Sequence, residues 1–156
     1  MALRSTSSTS LAALALLAAL TSSCSSSETS ASAGAAPSVT RDVGPDGATL
    51  EVDGATVTIP KGALAESKKI TITSVQGGAP EGYVVLSRLF RCEPSGTDFA
   101  QPVTMQMPFE DDGQGGTMFW SSGADPAFKD VGGRVEGKTM VTTVRHFSAG
   151  FVGRKK

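Results

Sequence analysis

Residues 49–60 read TLEVDGATVTIP, two alternating runs parted by two residues, and this pattern limits the fold more than any other stretch of the chain. Apolar side chains at every second position belong to a strand with one buried face, because successive residues of a strand point to opposite sides. Asp53-Gly54 between the runs is a preferred pair for a type I′ hairpin, whose two central residues both need positive φ. Val57 and Ile59 then face a core, Thr56 and Thr58 face away, and Pro60, which has no N–H, ends the ladder. The KGAL that follows reads as a tight turn bringing Leu64 to the core edge.

The alternation recurs downstream. KKITITSV at 68–75 sets Ile70 and Ile72 inward, and YVVLSRLFRCEP at 83–94 reads as one long or bent strand. GPDG at 44–47 and EPSG at 93–96 hold proline second and glycine fourth, as a type I turn favours. PVTMQMP at 102–108 aligns Val103, Met105 and Met107 between two prolines. GTMFWSS at 116–122 adds a strand whose Trp120 needs a partner for its indole N–H if buried. Residues 128–135 are less regular, and TMVTTVRHFSAGFV at 139–152 reads as the closing strand. About eight short strands, with no helical period after the N-terminal region, predict an all-β antiparallel two-layer sandwich. The 18 glycines and 8 prolines suit so many turns, and 156 residues suffice for one such core.

The N-terminus reads as an address. Residues 1–24 are MALRSTSSTSLAALALLAALTSSC, with Arg4 ahead of an apolar run from Leu11 to Leu20. Ten residues are too few to cross a bilayer, which takes about 20, but they match the apolar region of a signal peptide. The stretch before Cys24 resembles a bacterial lipobox, in which the cysteine is acylated after cleavage in front of it. Thr21 holds the place where that pattern has leucine, and Leu20 lies one residue further back. The resemblance implies a signal peptide at 1–23, a Ser/Ala-rich flexible tether at 24–38 and a folded domain at 39–156. It also implies a lipoprotein held to membrane lipid by palmitate-type chains on Cys24. Such a chain faces an extracytoplasmic space, at the cell membrane or the outer membrane. Two or more acyl chains make a stable anchor, where one makes only a marginal one.

Other chemistry is sparse. With 14 basic and 15 acidic residues there is no basic stripe, so nucleic acid is not an expected partner. One histidine and two cysteines are too few for a zinc site. EDDGQGG at 110–116 lacks the spaced oxygen ligands of a calcium loop, and its glycines do not follow the geometry of a phosphate loop. No metal or cofactor is therefore expected. Cys92, in strand-like sequence, reads as a packed, inert thiol, and Arg154 to Lys156 as a solvated tail. Tyr83, Phe119 and Trp120 are the aromatics that a carbohydrate platform would need to expose.

GATLEVDGATVTIPKGALAESKKITIT, CEPSGTDFAQPVTMQMPF and the closing VRHFS together resemble the ZU-five domain, the β-sandwich of zonula occludens, Unc-five and ankyrin proteins. The resemblance spans most of residues 43–152. It implies a structural or protein-interaction module without catalysis, with an extracytoplasmic protein as partner. Some relatives instead cut themselves at a His-Phe-Ser triplet, which here is His146-Phe147-Ser148. That implies a second reading, cleavage between Phe147 and Ser148 by an N-to-O acyl shift, with Ser148 as nucleophile and His146 as base. In an extended strand His146 and Ser148 would share a face, and Phe147 would pack on the other.

Overall fold

The computed structural model describes residues 35–77, 80–122 and 127–156. Cys24, the expected signal peptide and most of the expected tether lie outside the described residues. Twelve strands are present among the described residues, more than the eight expected, because several runs that look continuous in sequence are divided. They are β1 (Ser38–Val43), β2 (Ala48–Val52), β3 (Ala55–Ile59), β4 (Lys68–Val75), β5 (Tyr83–Val85) and β6 (Leu89–Glu93), then β7 (Asp98–Pro108), β8 (Thr117–Ser121), β9 (Phe128–Gly132), β10 (Arg134–Glu136), β11 (Thr139–His146) and β12 (Ala149–Lys155). All pairings are antiparallel. One sheet runs β1-β4-β6-β12-β8-β9 with β5 also on β12; the other runs β10-β11-β7-β3-β2. The fold is a β-sandwich.

The core lies between the sheets and follows the predicted alternation. Val57, Ile59, Ile70, Ile72, Val103, Met105 and Met107 are all buried. Asp53 has φ 51° and Gly54 φ 79°, and β2 pairs with β3 through Val52↔Ala55, the hairpin that the Asp-Gly pair dictates. The Asp53 carboxylate also clasps the other sheet. It accepts a hydrogen bond from the Ser74 hydroxyl at 2.5 Å and pairs with the Arg88 guanidinium at 2.9 Å.

Where sequence and structure differ, long-range pairing is the cause. The run at 83–94 breaks at Leu86–Arg88, where the Ser87 hydroxyl accepts the Val152 N–H at 2.8 Å in place of a backbone carbonyl. The turn after β6 closes from Pro94 to Thr97, one residue later than EPSG suggests, through the Thr97 N–H to the Pro94 carbonyl. β7 begins at Asp98 and runs through Pro102. That proline is tolerated because it falls between Asp98 and Val103, where β11 bulges between Val144 and His146. Residues 128–136 form two short edge strands, and Arg154 and Lys155 belong to β12 rather than to a tail.

The largest difference concerns the closing strand. The stretch at 139–152 is two strands in different sheets, β11 in the five-stranded and β12 in the seven-stranded sheet, and Phe147-Ser148 is the corner between them. β12 then enters the middle of its sheet, between β6 and β8. Gly150 makes that insertion possible, since a Cβ there would lie 2.2 Å from Cε3 of Trp120.

Candidate functional site

The corner is stitched down on every side by backbone groups. The Phe147 N–H donates to the Thr97 carbonyl at 2.9 Å, and its own carbonyl accepts the Gly96 N–H at 2.8 Å. The Ser148 carbonyl accepts the Cys92 N–H at 2.7 Å, and the His146 carbonyl accepts the Trp120 indole N–H at 3.2 Å. Trp120 thereby obtains the partner its burial requires. Gly96 can aim its amide at Phe147 because it holds φ 77° in the turn before β7, a conformation that costs glycine least. Phe147 is completely buried, and its ring meets Phe99 edge to face at 4.6 Å between centroids. It therefore packs into the inter-sheet core, as the triplet's central residue was expected to do.

His146 and Ser148 converge on a residue that sequence reasoning missed. The Ser148 hydroxyl bonds to the hydroxyl of Ser121 at the end of β8, and both serines are buried. The same Ser121 hydroxyl accepts the Ala149 N–H at 3.4 Å, and the Ser121 carbonyl stands 3.2 Å from Nε2 of the half-buried His146. A carbonyl only accepts, so Nε2 carries the proton in this contact, and a neutral ring has its lone pair on Nδ1. No local signal in the sequence singles out Ser121, the last residue of β8.

This geometry contains two elements of an acyl-transfer site. A hydroxyl nucleophile sits next to the peptide bond it would attack, and a backbone N–H already rests on that bond's carbonyl oxygen, where an oxyanion would develop. The base is less advanced. For His146 to take the Ser148 proton, the ring must use Nδ1 or release the Ser121 carbonyl.

The remaining candidates are occupied elsewhere. Cys92 is buried, and burial pushes its thiol pKa up to about 12, so it stays protonated and unreactive as expected. Asp111 and Asp112 accept the N–H groups of Gly113 and Gln114 within their own turn, and Asp112 also takes both guanidinium nitrogens of Arg154. No group of three metal-binding side chains occurs among the described residues. Trp120 and Phe119 are each 2 % exposed, so they do not form a carbohydrate platform. Away from the corner, a cleft of about 560 Å³ has apolar walls that include Leu86, Phe90 and Phe109, with the Asp53–Arg88 pair on its rim.

No curated protein matches this chain. The family model of the ZU5 domain matches residues 39–118, from β1 to the first residues of β8, and stops short of Ser121 and the corner. That is just over half of the 156 residues, and together with the two-sheet sandwich it places the chain in the ZU5 domain family.

Proposed function

We propose that this chain is a lipid-anchored, extracytoplasmic protein-interaction module. Membership of the ZU5 family carries the interaction part of the reading, since such domains generally serve to bind other proteins. The anchor rests on the sequence: a short apolar run, small residues and Cys24, then a Ser/Ala-rich stretch before β1 opens at Ser38. If the Ser/Ala-rich stretch of about fourteen residues after Cys24 behaves as a random coil, its reach would be roughly 20 Å, and the sandwich would be held near one membrane face. Replacing Cys24 by alanine is expected to move the protein from the membrane fraction to the soluble one. Equal detergent partitioning of variant and parent would remove the anchor from the proposal.

One observation favours a second reading, self-cleavage at the corner: the Gly96 N–H on the Phe147 carbonyl oxygen. In that reaction Oγ of Ser148 bonds to the Phe147 carbonyl carbon, and the Phe147–Ser148 amide bond breaks. The hydroxyl proton passes through His146 to the departing Ser148 amine. Water then hydrolyses the ester, leaving a Phe147 carboxylate and a free Ser148 N-terminus. Intact-mass measurement under denaturing conditions separates the readings. One species that still carries Ser148 to Lys156 supports the module alone, whereas two fragments that disappear in Ser148→Ala establish the cut.

A further inference from the structure

Val131 at 37 % and Val135 at 55 % are the exposed large hydrophobic side chains among the described residues. They stand on β9 and β10, the terminal strands of the two sheets, which the chain joins through Gly132-Gly133. At the other ends of the sheets lie β1 and β2, and there Nη1 of Arg41 reaches from β1 to the Thr49 carbonyl of β2 at 3.4 Å. A bare edge presents unpaired N–H and C=O groups, a template for another strand.

β10 is Arg134-Val135-Glu136, and it pairs with β11 through Arg134↔Val141, Val135↔Met140 and Glu136↔Thr139. The turn between them is two residues, Gly137-Lys138. Such a turn is closed by a pair that exchanges both backbone bonds, so Glu136 directs its N–H and C=O to Thr139. Alternation then turns the N–H and C=O of Val135 to the open side.

The charge order matches that direction. Laid antiparallel on a copy of itself about Val135, the strand sets Arg134 against Glu136 of the second copy, Glu136 against its Arg134, and Val135 against its Val135. Sliding by two residues either way opposes two arginines or two glutamates, which is destabilising. Arg134 now pairs with Glu136 of its own strand at 2.6 Å, with side-chain exposures of 72 % and 51 %. So exposed a pair holds weakly and can exchange for two cross-strand pairs.

We propose that β10 is a self-recognition strand: two copies of this chain join β10 to β10 about a twofold axis at Val135, extending the five-stranded sheet across both. This goes beyond the interaction-module reading and does not depend on the anchor. Three paired residues make a small contact, so the association is weak and best read by covalent capture.

The test uses the full-length chain with Val135→Cys under mild oxidation. Residues that exchange both bonds across an antiparallel pair have Cα atoms about 5.5 Å apart, within disulfide range. Disulfide-linked dimer is expected from Val135→Cys and at least fivefold less from Val131→Cys, which lies off the axis. Adding Arg134→Glu or Glu136→Arg alone should cut the yield severalfold, and both together should restore it. Mixing the two single reversals should favour mixed dimers over like ones. Equal capture at Val131, capture indifferent to the reversals, or no capture at all would each overturn the proposal.

Discussion

The amide of Gly96 donates to the carbonyl oxygen of Phe147 over 2.8 Å, although the two residues belong to different turns. This contact supports the crossing between the sheets whether or not the chain cuts itself there.

Ser121 is the hub of the corner and gives the first test. Ser121→Ala removes the hydroxyl bond to Ser148 and the acceptor for the Ala149 N–H, both in a buried setting. A loss of about 0.5–1.5 kcal/mol is expected, the usual net worth of a lost hydrogen bond. Urea denaturation reads it, and an unchanged midpoint would show that the hub carries no structural weight. If self-cleavage occurs, the same variant should change its rate, because it alters both the neighbour of the nucleophile and the surroundings of His146.

Gly150→Ala tests how tightly β12 is fitted. The added Cβ would lie 2.2 Å from Cε3 of Trp120 and 2.7 Å from the Phe119 carbonyl oxygen. Overpacking of this kind typically costs about 1–3 kcal/mol. The expected result is a lowered thermal midpoint together with a shift in Trp120 fluorescence. A variant as stable as the parent would mean that β12 is not held against Trp120 in this way.

Thiol titration addresses both cysteines at once. In native protein Cys92 should react very slowly with a thiol reagent, since its thiol is buried with its pKa pushed up to about 12. The unfolded thiol ionises near about 8.5, so stability should fall as pH rises above that value. After denaturation an acylated chain should show one reactive thiol, and an unacylated chain two, from the two cysteines of the sequence. Fast native labelling of Cys92 would contradict its packing.

Acid sensitivity should trace partly to Asp112. Its two hydrogen bonds from Arg154 and one from the Gln114 N–H hold its carboxyl below the ordinary carboxylate value. A depressed folded pKa gives stability that is complete above the ordinary value of roughly 4 and is lost as pH falls through the lower folded value. The pair is solvent-exposed, so the effect is small and weakens with salt. Asp130, lowered by the Thr117 hydroxyl and the Gly132 N–H, behaves in the same sense. Urea midpoints of the parent and Asp112→Asn should converge at low pH, and a constant gap would refute the assignment.

What could be read from sequence was local. Asp53-Gly54 announces its hairpin because the φ requirement sits in those two residues. Ile70, Ile72 and Met105 could be placed inside because strand period and burial coincide. The corner at Phe147-Ser148 could not be read, since neither glycine nor proline marks the change of sheet. Its bonds come instead from Cys92, Gly96, Thr97 and Trp120, far off in the chain. Ser121 stayed hidden for the same reason: it lies within the predicted strand GTMFWSS, and nothing local joins it to Ser148 until β8 and β12 are laid side by side. β9 and β10 are strands by virtue of their neighbours, for charges and glycines blur their own pattern.

The place of β12 bears on how the molecule comes into being. It follows every other strand in the chain yet occupies the interior of its sheet, between β6 and β8. A nascent polypeptide that has not yet delivered these residues would hold a gap where its middle plank belongs. Closure of the seven-stranded sheet therefore waits until residues 149–155 are in place.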